Sequence, residues 1–174
     1  MILEKDMMGD IIEMKILNLG CGEKVIDGAI NVDIKPFKGV NKIMDLNKEI
    51  WSFDSDFFDE IYAYHVIEHL DDFDATMGKL HRILKDDGEI HIKIPHHSSQ
   101  GTHTPYHRMS LNAFVFDNVP ELKIVKKKLH FHKGFYVYNH IIELLANRFL
   151  EVYENTGLKA LFPAVELEVV LVKR

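Results

Sequence analysis

The hydrophobic positions of this chain fall mainly in short runs that are separated by glycine, proline and acidic residues. The first run begins at Lys15 and enters a Gly-Cys-Gly-Glu turn at residues 20–23, and the second run ends at Asp33. Apolar runs bounded by glycine predict buried parallel strands. The glycines let the chain turn tightly and let a ligand approach the backbone. The pattern therefore predicts a nucleotide-type pocket at the end of the first strand.

Further alternating and helical patterns follow along the chain. They predict strands at Lys42–Leu46, Phe57–His65, Glu89–Pro95, Val125–His132 and Val165–Lys173, and helices at Asp71–Gly88, Ser110–Asp117 and Asn139–Asn155. Strands that alternate with helices are typical of an α/β domain. We expect one domain over residues 1–174, with a mostly parallel sheet of seven strands, an antiparallel hairpin at its end and a shortened first helix.

Each predicted helix has an apolar side that should be buried. The buried positions are Phe73, Met77, Leu80 and Leu84 in the first helix, Leu111, Phe114 and Val115 in the second, and Ile141, Leu145, Phe149 and Val152 in the third. Residues 1–14 mix charges with apolar positions, which predicts a short helix or an N-terminal arm and does not match a secretory signal.

The last strand carries Glu166 and Glu168, and the strand before it carries Lys126 and Lys128. Opposite charges stabilise neighbouring positions across an antiparallel pair. We therefore expect these two strands to pair antiparallel, with the two acids near the two lysines. The alternation also places Lys127 on the opposite face, which argues against a continuous nucleic-acid patch.

The first two strands are joined by only a few residues, Glu23 to Gly28. A crossover between parallel strands usually needs about ten or more residues, so the first helix should be truncated. In the strand Glu89–Pro95, isoleucines alternate with Glu89, His91 and Lys93, which predicts one wetter face. One sheet face should thus be thinly covered, and two copies of the chain could pair there as a homodimer.

The composition excludes some classes of protein. A net charge of −6 over 174 residues argues against nonspecific binding to nucleic acids or anionic membranes. The single cysteine, Cys21, cannot form an internal disulfide, which favours a cytoplasmic location. No apolar run reaches about 18 residues, so no membrane span is expected.

Candidate chemistry begins with Asp33, because a carboxylate at a strand end can accept two hydrogen bonds from a ribose diol. A dinucleotide fingerprint would need a third glycine at position 25, where this chain has Val25. NAD is therefore disfavoured as a cofactor.

At these residues the sequence resembles the class I S-adenosylmethionine-dependent methyltransferases. Their first motif is similar to residues 17–23, LNLGCGE, and a second family stretch is similar to residues 65–70, HVIEHL. The resemblance implies that Asp45 contacts the adenine amino group, although Asp45 could instead cap a turn at Leu46–Ile50. It implies a cofactor site formed by Gly20, Cys21, Gly22, Asp33, Ile34, Asp45, Leu46 and His65.

A loop after the fifth strand is rich in histidine and holds His96, His97, His103 and His107. These imidazoles could act as a general base or bind Zn or Fe, but their spacing matches no standard metal motif. We expect His65, His103 and His107 to be the catalytic candidates, with no metal ligand assigned. Cys21, held between two pocket glycines, is not expected to act as a nucleophile.

The function that these observations predict is S-adenosylmethionine-dependent methyl transfer to a small-molecule or sugar-like acceptor. Two alternatives stay open at this point. The chain could be a non-catalytic adenosyl-binding module, or it could be a metal-dependent hydrolase built on the histidine loop.

Overall fold

The computed structural model describes residues 3–5, 11–48, 50–99, 106–132 and 136–174. Its strands are β1 (Leu3–Lys5), β2 (Ile11–Glu13), β3 (Ile16–Leu19), β4 (Ile30–Asp33), β5 (Lys42–Ile43), β6 (Phe58–Tyr64), β7 (Leu84–Pro95), β8 (Leu122–His130) and β9 (Glu166–Lys173). Its α-helices are α1 (Phe73–Ile83), α2 (Tyr136–Arg148), α3 (Leu150–Asn155) and α4 (Leu158–Leu161), and short 3-10 turns lie at Ile67–His69 and Val115–Asn118.

Seven strands form one sheet in the order β5-β4-β3-β6-β7-β9-β8. The first five strands of this order are parallel, and β9 pairs antiparallel with both β7 and β8. The predicted fold class is therefore confirmed, including the antiparallel hairpin. In a sheet of this kind the carboxyl ends of β3, β4 and β6 meet at one edge, where ligands bind.

One face of the sheet forms the hydrophobic core. Alternate residues of β6, β7 and β9 are fully buried there, and α1 covers them through Met77, Leu80 and Ile83. Asp72 caps α1 by accepting a hydrogen bond from the Ala75 backbone N–H at 2.9 Å. The helix ends at Ile83 and not near Gly88, because Leu84 already pairs with Phe58 as a strand residue.

The opposite face is polar, as the alternation in β7 predicts. The rings of Tyr62 and His91 stack on this face at 4.7 Å, and Tyr64 remains 38% exposed. These side chains are thus only partly covered by the described residues. Pairing of two copies over this face stays a prediction.

The connection between β3 and β4 contains turns and no helix within residues 20–29, all of which are described. In place of a helix, two buried side-chain amides form hydrogen bonds with the backbone of this connection. Asn18 donates to the Lys24 carbonyl and to the Asn31 side chain, at 2.9 and 2.8 Å. Asn31 in turn bonds both backbone groups of Ile26, each at 2.9 Å. The loop's polar groups are therefore satisfied without a helix.

The charge pattern of the terminal hairpin is only partly as expected. Glu168 lies opposite Lys128 in the register, but its carboxylate contacts Lys126 at 2.5 Å and His130 at 2.7 Å. Lys128 contacts Glu143 of α2 instead, at 2.9 Å. The predicted contact between Glu166 and the lysines of β8 was wrong, because the Glu166 side chain points toward the sheet edge described below.

Three predictions for helices are corrected. Residues 3–5 and 11–13 form an antiparallel pair of strands and not a helix, and Ser110–Asp117 contains only the 3-10 turn that begins at Val115. The long helix is divided into α2 and α3, because Phe149 leaves the helical conformation with φ −124° and ψ 52°.

The apolar side predicted for α2 and α3 is also largely exposed, with Ile141, Leu145 and Phe149 between 51% and 56% accessible. Polar side chains dock α2 instead. Asn147 bonds both the N–H and the carbonyl of Leu129 in β8, at 2.7 and 2.9 Å. The edge strand thereby gains hydrogen-bond partners, and the helix turns its apolar side outward. In the described part of the chain, none of the helices has the length and hydropathy needed to cross a bilayer.

Candidate active site

The glycine turn lies at the carboxyl edge of the sheet, between β3 and β4. Gly20 and Gly22 both have positive φ angles, +58° and +52°. A Cβ atom at Gly20 would lie 2.6 Å from Val66 Cγ2, whereas one at Gly22 would meet nothing within 4 Å. Gly20 is thus needed for close packing against the end of β6. The space in front of Gly22 is open to a ligand.

Asp33 ends β4 beside this turn. Its Oδ2 accepts a hydrogen bond from the Gly22 N–H at 2.9 Å, and its Oδ1 accepts one from the Lys35 N–H at 2.9 Å. Each carboxylate oxygen can accept a second hydrogen bond. The two backbone donors therefore fix the orientation of Asp33 and leave it able to bind a diol.

Asp45 follows β5 and faces the same space as Asp33. Its Oδ1 accepts a hydrogen bond from the Asn47 N–H at 3.0 Å, so the predicted turn is present. Both acids nevertheless line one cavity of about 440 Å³. The cavity is also lined by Gly20, Ile34, Leu46, His65, His69 and Tyr106. Six of the eight residues predicted for the cofactor site are thus brought together.

The other two, Cys21 and Gly22, line a second cavity of about 720 Å³. Gly20 and His65 line both cavities, so the two spaces adjoin. Three polar side chains, Tyr64, Lys93 and Glu166, also line the second cavity.

His65 stands where the two cavities meet, and it is one of the few residues other than glycine with positive φ, +56°. Its Nε2 lies 2.8 Å from Glu166 Oε2, and its Nδ1 lies 3.6 Å from Glu68 Oε1. The hydrogen bond with Glu166 and the nearby Glu68 carboxylate outweigh the effect of burial and raise the pKa of His65 to about 9. His65 is therefore protonated at neutral pH.

Cys21 is buried, with 6% of its surface exposed. Burial and the neighbouring Asp33 carboxylate raise the pKa of its thiol. A thiolate nucleophile is disfavoured, in agreement with the sequence interpretation.

The loop histidines do not form one group. His96 is fully buried, with Nδ1 at 2.8 Å from Ser98 Oγ and Nε2 at 2.7 Å from Glu154 Oε1. His107 lies in a different place, where its ring packs on His69 with 4.8 Å between centroids. His103 lies outside the described residues.

Sequence reasoning did not identify Glu166 and Lys93 as site residues. Lys93 Nζ lies 3.3 Å from Glu166 Oε1, and both residues line the second cavity. Their signal was the polar alternation of β7 and β9. In β7 it was interpreted as a wetter face, and in β9 it was interpreted as charge pairing with Lys126 and Lys128. The Glu68 backbone carbonyl accepts a hydrogen bond from the Arg108 N–H at 2.8 Å.

The fold and this edge define a class of protein, a Rossmann-like α/β domain with an acid-lined cavity at the carboxyl edge of its parallel strands. Comparison with known proteins agrees. The sequence model of the methyltransferase-domain family matches residues 12–172. The chain therefore belongs to the methyltransferase-domain family. None of the curated proteins is similar enough in sequence to count as a match.

Solved structures with the same fold are distant in sequence. An S-adenosylmethionine-dependent methyltransferase from Mesorhizobium loti is 14% identical with a TM-score of 0.62, and the match covers 92% of this chain and 91% of that chain. One from Archaeoglobus fulgidus is 15% identical with a TM-score of 0.59, covering 92% and 86%. Coclaurine N-methyltransferase, bound to N-methylheliamine and S-adenosylhomocysteine, is 11% identical with a TM-score of 0.55, covering 91% and 68%.

These findings support S-adenosylmethionine as the cofactor, as the resemblance of the sequence implied. The residues present fit such a group, because a carboxylate with free acceptor capacity and an open space before Gly22 adjoin the same turn.

Proposed function

We propose that this chain transfers a methyl group from S-adenosylmethionine to a small-molecule or sugar-like acceptor. One observation carries the proposal. The Asp33 and Asp45 carboxylates line a single cavity with Gly20 and His65 at the carboxyl edge of the parallel strands. Ligands of open α/β sheets bind at this edge.

The cofactor residues have separate tasks in this proposal. Asp33, oriented by the Gly22 N–H, accepts the ribose hydroxyls, and Asp45 accepts from the adenine amino group. When bound, the cofactor supplies an activated methyl carbon on its sulfonium. The protein then has mainly to orient the acceptor, a contribution worth about 7–11 kcal/mol in favourable cases.

The acceptor is assigned to the second cavity. Its volume of about 720 Å³ lies in the usual range for sites that bind small molecules. Tyr64, Lys93 and Glu166 line it, so a polar acceptor finds hydrogen-bond donors and acceptors there. Because Gly20 and His65 line both cavities, an acceptor in the second cavity lies next to the proposed cofactor site.

The proton released by the acceptor needs a base other than protonated His65. With its pKa raised to about 9, His65 is suited to donate a hydrogen bond and to hold Glu166 in place. His107 is half-buried and follows Tyr106, which lines the cofactor cavity. We therefore retain His107 and His103 as candidate bases, with His65 as an orienting residue.

A non-catalytic adenosyl-binding module would have the same cofactor cavity but would not transfer a methyl group to an acceptor. Transfer of a labelled methyl group to a panel of small polar acceptors distinguishes the two functions.

A cytoplasmic location is part of the proposal and rests on the single buried thiol, Cys21.

Calorimetric titration with S-adenosylhomocysteine, with NAD as a parallel control, tests the site. We expect one-to-one binding of the first compound alone. Asp33→Ala should weaken that binding about 10- to 100-fold, because hydrogen bonds to a charged group contribute roughly 1.5–3 kcal/mol.

Asp87→Ala is the matched control, since Asp87 is exposed and lines neither cavity. Unchanged affinity in Asp33→Ala would count against the cavity as the cofactor site.

A further inference from the structure

Two short segments meet beside the cofactor cavity. The 3-10 turn Ile67–His69 follows β6, and the end of the histidine loop packs against it. The Glu68 carbonyl accepts hydrogen bonds from the backbone N–H groups of Arg108 and Met109, at 2.8 and 3.3 Å. Arg108 also pairs with Asp71 through its side chain. These bonds hold His107 next to His69.

Glu68 differs from the other acids that the structure describes, because both of its carboxylate oxygens are buried without a hydrogen-bond partner. Its side chain is 3% exposed, and neither carboxylate oxygen has a hydrogen-bond partner among the described residues. The Nδ1 atom of His65 lies 3.6 Å from Glu68 Oε1, which is beyond hydrogen-bond distance. A buried carboxylate without hydrogen bonds is costly, so a cation bound at this position would be stabilising.

The two histidines present nitrogen atoms to this carboxylate. His69 Nδ1 lies 2.9 Å from the Tyr106 carbonyl, which can only accept, so Nδ1 carries the hydrogen and Nε2 keeps its lone pair. A backbone carbonyl on the other ring nitrogen is the usual arrangement of a histidine that binds metal. His107 Nδ1 is buried and has no hydrogen-bond partner in the described part of the chain. One ligand atom from each of the three residues lies within 4.8 Å of the others.

We propose that Glu68, His69 and His107 bind a divalent transition-metal ion. Two imidazole nitrogens and one carboxylate are a donor set typical of Zn²⁺, Fe²⁺ and related ions. Three protein ligands leave further coordination positions open. His69 lines the cofactor cavity, and Glu68 Oε1 lies 3.6 Å from Nδ1 of His65, which lines both cavities, so those positions lie near the junction of the two cavities.

The second carboxylate–histidine group does not offer the same site. Both nitrogens of His96 are already engaged, by Ser98 and by Glu154. Glu154 Oε1 also accepts from the Ala113 N–H at 3.0 Å. Glu154 Oε2 also lacks a hydrogen-bond partner among the described residues, but a metal ion bound by His96 would have to displace a hydrogen bond of this ring, to Ser98 or to Glu154 Oε1. At Glu68 neither carboxylate oxygen has a partner in the described part of the chain.

A role in methyl transfer rests on the proposed function, but the metal site itself does not. With His107 coordinated to a metal ion, His103 is the remaining candidate base of the proposed function. A cation at this position would lower the pKa of an acceptor hydroxyl that coordinates it. An acceptor with an oxygen nucleophile is the class that such a site would serve.

The test is metal binding by the full chain after treatment with a chelator. Zn²⁺ is titrated by calorimetry, and Mn²⁺ is followed by the loss of its free electron paramagnetic resonance signal. We expect one equivalent of Zn²⁺ to bind, and binding at least 10-fold weaker in Glu68→Gln. His107→Gln is a second variant, in case the first fails to fold by circular dichroism. His81→Gln, a histidine of α1 outside the group, should bind as the unaltered chain does.

Three results would overturn the proposal: no stoichiometric binding, equal binding by Glu68→Gln and the unaltered chain, or loss of binding in Glu154→Gln alone. Titration of the same samples with S-adenosylhomocysteine separates the two proposals. Binding of the nucleoside without metal would remove the metal site and leave the proposed function. Binding of metal without binding of S-adenosylhomocysteine would leave the metal site and remove the proposed function.

Discussion

Glu68 and Glu154 are both buried, with 2% and 3% of their surfaces exposed, and each lies near histidines, yet their surroundings differ. Glu154 Oε1 accepts from His96 and from the Ala113 backbone, at 2.7 and 3.0 Å. Glu68 accepts no side-chain hydrogen bond from the described residues. Burial alone therefore does not distinguish a structural acid from a candidate metal ligand, whereas the hydrogen-bond partners of the carboxylate do.

The two acids differ in their hydrogen bonds because they connect different segments of the chain. Glu154 connects α3 to the start of the histidine loop and to the segment before the 3-10 turn at Val115. Burial opposes its ionisation, but the bonds from His96 and the Ala113 N–H lower its pKa below the usual value. Glu68 fixes the same loop through its backbone carbonyl, so its carboxylate remains available for another partner.

The largest effect on stability is expected for Glu154→Ala. This change leaves His96 and the Ala113 N–H buried without an acceptor, and we expect the free energy of unfolding to fall by about 3–5 kcal/mol. Chemical denaturation monitored by circular dichroism measures it. Glu151→Ala, on an exposed position of the same helix, is the control and should change stability little. A loss below about 1 kcal/mol would mean that the two acids are equivalent.

A smaller effect is expected for Glu168→Gln, because this acid pairs with His130 and Lys126 on the partly exposed sheet face. Although burial opposes ionisation, these partners lower its pKa to about 2. The folded-state pKa is thus below the unfolded value, so the stabilisation is complete above about pH 4.5 and is lost as the pH falls toward 2.

Glu168→Gln should therefore lower stability by about 1 kcal/mol at pH 7, and the difference should shrink below pH 4.5. Urea denaturation at pH 7 and at pH 3.5 measures the change, with the exposed Glu121→Gln as control. A difference that grows on acidification would contradict the sign of the pKa shift.

The smallest effect on stability is expected for Glu68→Gln. The carboxylate has no hydrogen bond from the described residues to lose. Glutamine of the same shape removes a buried charge and, with it, the 3.6 Å ion pair with His65, and these two effects oppose each other, so the free energy of unfolding should change by less than about 1 kcal/mol in metal-free protein. The same denaturation experiment measures it. A loss close to that of Glu154→Ala would show that Glu68 is structural, and the contrast between the two acids would disappear.

Much of the fold could be predicted from residue patterns because it depends on strand periodicity. The alternation in β7, the short connection after the glycine turn and the antiparallel terminal pair are all properties of neighbouring residues along one strand. The position of α2 could not be predicted in this way. Asn147 docks the helix through backbone bonds to Leu129, and the apolar positions that should mark the buried side are exposed.

The candidate site was predictable where its residues follow a strand end, as Asp33 and Asp45 do. It was not predictable where two distant segments meet. Glu68 and His69 match no sequence motif for a metal, and hydrogen bonds from Arg108 and Met109, together with the Tyr106 carbonyl, bring His107 to them. The protonation of His65 likewise depends on Glu166, which lies on a strand far along the chain.

The contact between Gly20 and Val66 has a consequence for how this site can change. Val66 lines the cofactor cavity, and its methyl groups occupy the space that any side chain at position 20 would need. The size of the Val66 side chain therefore sets the distance between the glycine turn and His65. A shorter residue at 66 would widen the cofactor cavity next to Gly20 without altering the carboxylates of Asp33 and Asp45. The width of that cavity can in this way be changed independently of its polar groups.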